Sequence, residues 1–414
     1  LGNLNYGVIV SNAADSNIIG GGQPGSRNII SGNLRDPSTG NGGGGVFIWQ
    51  NATGNSVHGN FIGTNVGGIT ALPNETSGIE INGASGNMIG SVQPLTRNII
   101  SGNGGNGVLV IDGANSNVFQ NNAIGLAGDS ITPMPNFLSG VQIYKVDPSS
   151  TPPVGNAIGG TGPNEANIIA YNGVKGVDLL EALNTSLLSN SIFSNSSLGI
   201  DLAGGGVTAN DPCDADAGSN GLQNFPVTDT ATNLGGITTI QGNLDSIAGQ
   251  NFIVQIFVSD ACDMSSYGEG QTLIDSFTAT TGPDCHKIFG RTFSPEIPAG
   301  KFITSTATDA SGNTSEFSKC KMVSTPTAAN ASIAGRVMTA NGQGITNVRV
   351  TLTGRMGQAI SSLTGPFGYY RFENLPAGES YILAVYSKRF MFAQSSTIVN
   401  LNDDLTDINF TSEP

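Results

Sequence analysis

Asp178 and Asp201 are the residues whose type and spacing come nearest to catalysis. Each fills the third place of a repeated word, Gly176-Val177-Asp178-Leu179 and Gly199-Ile200-Asp201-Leu202. If the two words are neighbouring parallel strands, both carboxylates face outward, about 5 Å apart. That is close to the separation of a retaining glycosidase pair. The plainer expectation is two solvated acids on an exposed sheet, or a weak cation site. No cleft and no aromatic sugar platform accompany them in the sequence.

A second cluster, Asp211-Pro212-Cys213-Asp214-Ala215-Asp216-Ala217-Gly218-Ser219-Asn220, sets hard oxygens at alternating positions. Calcium takes such ligands, so Asp211, Asp214, Asp216 and Asn220 form a candidate calcium site. The distant Glu of an EF-hand loop is missing, and an acidic turn beside a disulfide is the simpler expectation. No other cofactor is called for. Cys213, Cys262, Cys285 and Cys320 are the only cysteines. An even count confined to one segment reads as disulfides formed in an oxidising compartment. Zinc is the rival, but there is no Cys-x-x-Cys and His286 is the only nearby His. Three pairings are open. Cys262 with Cys320 is the first guess, one ending an early strand and the other the last.

These groups must be held by repeats. The word Gly-[Val/Ile]-x-[Ile/Val/Leu] begins at Gly7, Gly78, Gly107, Gly140, Gly176 and Gly199, and Gly45-Val46-Phe47-Ile48 belongs with it. A second apolar word opens at Asn17, Asn55, Asn87, Asn117, Asn156 and Asn184, and a third at Asn28, Asn60, Asn98, Asn122, Asn167 and Asn190. Three short alternating words bounded by Gly or Asn predict three strands and three corners per repeat. Gly and Asn tolerate the positive φ that sharp corners need. The expected architecture over 1–206 is a right-handed parallel β-helix of six coils and part of a seventh. Val8, Ile79, Val108, Val141 and Val177 should stack inside it, and the third-word Asn residues should form a ladder. Arg27-Asn28-Ile29-Ile30-Ser31-Gly32-Asn33 returns 70 residues later at Arg97, so the repeating unit is a pair of coils.

The words Asn-x-Ile-x-Gly-Gly, Arg-Asn-Ile-Ile-Ser-Gly-Asn and Asn-Phe-Ile-Gly-Thr-Asn resemble the right-handed parallel β-helix repeat family of secreted bacterial proteins, which implies a pectate-lyase-like fold. Hydrolases of that fold carry Asn-Thr-Asp, Asp-Asp, Gly-His-Gly and Arg-x-Lys, none of which occurs in 1–206. Its five basic residues are scattered, and Arg27 and Arg97 belong to a repeated corner. After an acidic connector at 207–224, about seven alternating stretches in 225–322 predict an immunoglobulin-like sandwich. A linker spans 323–330. Ile333-Ala334-Gly335-Arg336-Val337, Gly365-Pro366-Phe367-Gly368-Tyr369-Tyr370 and Leu375-Pro376-Ala377-Gly378 then resemble the carboxypeptidase-regulatory-like, transthyretin-like sandwich over 331–414. That resemblance implies an accessory module without chemistry of its own. The fold class is therefore all-β, a β-helix followed by two β-sandwich domains.

Net charge is −14, with 16 basic and 30 acidic residues. Five basic residues stand against eleven acidic ones in 1–206, five against thirteen in 207–330, and six against six in 331–414. No segment is basic, so a nucleic-acid partner is not expected, and no apolar run is long enough to span a membrane. The expected function is a secreted, non-catalytic structural or adhesive protein of the bacterial surface or matrix. Its rivals are a carbohydrate-active β-helix enzyme and a glycan-binding module. A coil entered at Asn3-Leu4-Asn5-Tyr6 without a cap leaves open strand edges. Upstream coils, or a strand or domain of a neighbouring chain, must cover them. Self-association head-to-tail into filaments is expected through that edge and the C-terminal domain, with a cell-surface or polysaccharide ligand as a further partner.

Overall fold

The computed structural model describes residues 2–325, 330–354, 359–401 and 403–413; part of the expected linker, 326–329, lies outside them. The chain divides into two compact units, Leu1–Thr325 and Pro326–Pro414.

In the first unit the chain visits three parallel sheets in rotation. The first holds Val8–Val10, Val46–Trp49, Ile79–Asn82, Val108–Ile111, Val141–Tyr144, Val177–Leu180 and Ile200–Asp201, in that order. The second runs from Ile18–Gly20 to Ser186–Leu188 and the third from Ile29–Ile30 to Ser191–Phe193, each six strands stacked in coil order. The result is a parallel coil of the β-helix kind. Register sets Val8, Val46, Ile79, Val108, Val141, Val177 and Ile200 in one row. Val46, Ile79, Val108, Val141 and Val177 have no exposed surface; Val8, in the first coil, is half-buried. Period-two alternation explains this: residues i and i+2 point inward and the residue between them outward.

Corners are held by asparagine. In the third-word row, each Nδ2 donates to the Oδ1 one coil on: Asn28 to Asn60, Asn60 to Asn98, Asn98 to Asn122, Asn122 to Asn167 and Asn167 to Asn190. The other hydrogen of the same amide reaches a backbone carbonyl of the preceding coil, as from Asn98 to Val57 and from Asn167 to Phe119. The ladder thus satisfies buried corner carbonyls that the sheets leave free. Asn17, Asn55, Asn87, Asn117 and Asn156 form a second ladder. A third, absent from the sequence expectations, joins Asn3, Asn33, Asn74, Asn103, Asn136, Asn172 and Asn195.

Close coil approach demands glycine at the corners. Gly125 has φ +89°, and a Cβ there would lie 1.9 Å from the Ala170 carbonyl oxygen. Gly125→Ala is expected to cost about 2–3 kcal/mol through strain and backbone clash. A lowered urea midpoint measures it; an unchanged midpoint would contradict this packing.

Residues 227–322 add antiparallel sheets of three and four strands. Their core contains Ala231, Ile240, Ile256, Phe289 and Ile303. Phe257 and Phe317 instead join the aliphatic core of the coil, packing edge to face at 5.4 Å. The coil's apolar interior is therefore closed by two rings from this sandwich, which explains why both belong to one compact unit.

The second unit has a four-stranded sheet, ordered Ala359–Leu363, Arg349–Thr353, Glu379–Tyr386, Ser396–Leu401. Opposite it Tyr369–Pro376, Asn330–Met338 and Phe410–Thr411 form a three-stranded sheet. Val337, Val350, Leu352, Tyr370, Phe372 and Leu383 are among its core residues.

Candidate functional site

The outward positions of the first parallel sheet carry a row of polar side chains in its later coils. Register aligns Phe47, Glu80, Leu109, Gln142, Asp178 and Asp201. Asn106 Nδ2 donates to Gln142 Oε1 at 3.0 Å, and Gln142 Nε2 donates to Asp178 Oδ2 at 2.8 Å. Lys175 Nζ then bridges Asp178 Oδ1 at 2.7 Å and Asp201 Oδ2 at 2.9 Å.

This corrects the picture of two solvated acids. Asp178 is 5 % exposed and Asp201 1 %. The chain after the last coil strand folds back over Asp201. Ala203 and Gly204 donate their N–H groups to its Oδ1, and Gly206 donates to its Oδ2. Burial pulls the Lys175 ammonium down, but its bonds to both carboxylates outweigh that and leave it above the usual lysine range. One lysine is shared between the two carboxylates; Asp201 takes three further backbone donors and Asp178 one from Gln142, so both side chains are held in fixed positions within the scaffold. The arrangement is that of a buried ion network, where removing one partner strands a charge.

Nearer the first coil, the same face opens into a groove of about 410 Å³ lined by Arg35, Glu75, Glu80, Asn106, Gln142 and Tyr144, with Tyr6 at its edge. Tyr6 stacks on Phe47 at 4.6 Å, and Phe47 on Trp49 at 5.4 Å. Tyr6 Oη donates to Glu80 Oε2 at 2.7 Å. Burial pushes the Glu80 carboxyl above its ordinary range, against the pull of the Tyr6 hydroxyl. Burial and Glu80 together push the Tyr6 phenol up. Neither residue was singled out from sequence. The available signal was an acid at the outward place of Gly78-Ile79-Glu80-Ile81.

Asp211, Asp214 and Asp216 do come together, with oxygens within 4.8 Å of one another. Burial raises Asp214 to about 6, opposed by bonds from Ser246 and Asn224 and aided by the two neighbouring acids. Asn220 is not part of this group, which corrects the four-residue site. It is buried at the coil end, where its Oδ1 accepts from Thr185 N and its Nδ2 donates to the Thr185 and Thr314 carbonyls. Asp/Asn composition does not separate a ligand from a cap.

Asn220 is one of several groups that close the last coil. Glu269 Oε1 accepts from Asn195 N and Asn195 Nδ2, both at 2.9 Å, ending the third ladder. Glu316 accepts from Leu202 N, Thr208 N and Thr208 Oγ1. Asn313 Oδ1, Thr314 Oγ1 and Gln255 Oε1 take the N–H groups of Asn184, Leu187 and Ser189. Ile192 and Gly270 exchange backbone bonds. Burial lifts both Glu269 and Glu316 to about 7.

Cys213 pairs with Cys285, and Cys262 with Cys320. The first bond ties the acidic connector to the sandwich; the second spans 58 residues of it. Replacing Cys262 and Cys320 with Ser is expected to cost about 2–4 kcal/mol. Thermal melts of the variant and of wild type with and without reductant check this. A reductant-insensitive wild type would overturn it.

Residues 332–413 match the carboxypeptidase regulatory-like domain family. No curated protein matches the chain. Among solved structures the chain is similar to the major pilin subunit of Bacillus cereus, at 14 % identity over 46 % of this chain and 70 % of that one, TM-score 0.20. It is similar to a bacterial adhesin from Mobiluncus mulieris containing intramolecular disulfide, isopeptide and ester bond cross-links, at 7 % identity over 46 % of this chain and 96 % of that one, TM-score 0.20. The pilus backbone from Streptococcus pneumoniae aligns at 12 % identity over 44 % of this chain and 50 % of that one, TM-score 0.16. No helix among the described residues is long and apolar enough to cross a membrane.

Proposed function

We propose that this chain is a non-catalytic structural or adhesive protein of a bacterial surface or extracellular matrix, built on a right-handed, pectate-lyase-like coil. The observation that carries the reading is the Lys175 bridge. The acid pair that adjacent coil words set side by side, Asp178 and Asp201, is locked into the scaffold by a lysine and by three backbone N–H groups. Two disulfides fit an oxidising, extracellular setting. Incubation with acidic polysaccharides should release no new reducing or unsaturated ends; release of either would sink the reading.

Self-association is part of the proposal. Val8–Val10, Ile18–Gly20 and Ile29–Ile30 each stand at the edge of their sheet, with one side unpaired. The far end of the coil is closed from within the same chain, so one copy's coil cannot extend another's there. Further coils upstream or a strand from a neighbour would cover these edges, and the neighbour's strand is the cover proposed. Ser396–Leu401, itself an edge strand, is the candidate, and such a head-to-tail contact propagates unless its rotation closes. Light scattering should show mass growing with concentration; a monomer at every concentration would refute assembly.

For Asp211, Asp214 and Asp216, calcium is the proposed cation, with three carboxylates rather than four side chains as donors. A glycan-binding role is the second reading, favoured by the ring stack of Tyr6, Phe47 and Trp49 beside the first-sheet groove.

A further inference from the structure

A second groove lies in the unit Pro326–Pro414, has a volume of about 770 Å³, and is lined by Arg349, Lys388 and Arg389. We propose that it binds a polysaccharide of uronic acids.

The strand register builds the site. Arg349 lies opposite Leu363 on one neighbouring strand and Tyr386 on the other. All three side chains are exposed on the outer face of the four-stranded sheet. The chain beyond Tyr386 leaves the sheet and carries Lys388 and Arg389 along the same groove, followed by Phe390. None of the three cations makes an ion pair among the described residues, and no Asp or Glu lines the groove. Three uncompensated positive charges converge on one cavity in a chain of net charge −14. At physiological salt the screening length is about 8 Å, so a bound anion responds chiefly to the charges that line the groove.

The rest of the lining selects the kind of anion. The volume is that of a site for an extended ligand rather than a single small ion. Tyr386 and Phe390 offer apolar ring surface, and Gln343 and Asn347 offer amide donors and acceptors. A sugar acid uses all three properties at once: carboxylates for the cations, hydroxyls for the amides, C–H faces for the rings. Poly-aspartate offers carboxylates and backbone amides but no C–H sugar face for the rings.

The proposal rests on the adhesive reading above, and the two fail separately. The probe is polygalacturonate, titrated calorimetrically into the full-length protein at 20 and 300 mM salt, with dextran and poly-aspartate as comparisons. Saturable binding of polygalacturonate is expected, weakened by the higher salt, with dextran not binding and poly-aspartate binding at least tenfold more weakly. Lys388→Glu combined with Arg389→Glu should weaken it about tenfold or more, and Tyr386→Ala should weaken it at unchanged salt dependence. Trp49→Ala, in the ring stack on the first parallel sheet, should leave it unaltered. The substitutions at Tyr386, Lys388 and Arg389, all exposed, should leave the melting temperature unchanged. The proposal is overturned if polygalacturonate fails to bind, if poly-aspartate binds as tightly, or if Trp49→Ala alone abolishes binding. New reducing ends in the same samples would overturn the non-catalytic reading instead.

Discussion

Raising the pH from about 4.5 to 8 is expected to destabilise the unit Leu1–Thr325 by up to about 6 kcal/mol. The cause is the pair of buried carboxyls that closes the coil. Glu269 and Glu316 sit at about 7 in the folded protein, against 4.5 for an ordinary glutamate. Desolvation is the main cause at both; Asp263 adds to the rise at Glu269 and Asp201 to that at Glu316. Because the folded state holds these protons more tightly, their stabilisation is complete below the unfolded pKa. It is lost as pH rises through the folded one. Each contributes about 3 kcal/mol at most over that window. Asp214, raised to about 6, steepens the lower part of the same slope. His58, whose pKa burial lowers, works in the opposite direction.

Urea unfolding at a series of pH values measures the slope, and Glu269→Gln isolates one contributor. Glutamine keeps an oxygen for Asn195 N and Nδ2 but carries no charge. It forfeits the bond that Ser194 N gives the carboxylate. The variant should therefore gain about 2 kcal/mol at pH 8 and none at pH 4.5. Equal effects at both values would show that the carboxyl is not the group titrating.

Asn122→Leu is expected to cost about 3–5 kcal/mol, although the side chain keeps its size and gains hydrophobicity. Asn122 has no exposed surface. Its Oδ1 accepts from Asn98 Nδ2, and its Nδ2 donates to the Ile89 and Gln120 carbonyls and to Asn167 Oδ1. Leucine takes partners from several buried polar groups at once, each loss costing about 1–3 kcal/mol. Asn41→Leu, on an exposed loop outside the ladders, is the control and should stay within about 0.5 kcal/mol. Equal urea midpoints for the two variants would mean the ladder adds nothing to stability.

The coil was legible because each word recurs, so a two-residue period could be checked against its own copies. The ladder starting at Asn28 was legible for the same reason. The one through Asn33, Asn74, Asn103 and Asn136 was not. Asn74 and Asn136 arrive after loops that Asn33 and Asn103 lack, which hides the row from any fixed spacing. The adjacency of Asp178 and Asp201 followed from their places in neighbouring words and appears as direct register. Their burial did not follow, since the cover comes from the turn at 203–206. Glu269 and Glu316 were out of reach because their partners lie 74 and 114 residues away. The groove beside Arg349 depends on a cross-strand register that sequence alone does not set.

The asparagine ladders also give the coil a grammar of growth. Every rung donates in the same direction, and the sheets join each coil to the ones beside it, so energy accrues largely per coil as in other stacked repeats. Loops of alternate coils also touch, Gly128 N donating to the Gly68 carbonyl. A stack of this kind has no intrinsic length. The 70-residue spacing of the Arg-Asn-Ile-Ile-Ser-Gly-Asn corner marks the piece that can be copied or removed without creating a new type of contact. Glu269, Glu316, Gly270 and Asn220 fit only the final coil, so that terminus is fixed. Lineages of this protein that differ in reach should therefore differ by whole pairs of coils, inserted upstream of an invariant stopper.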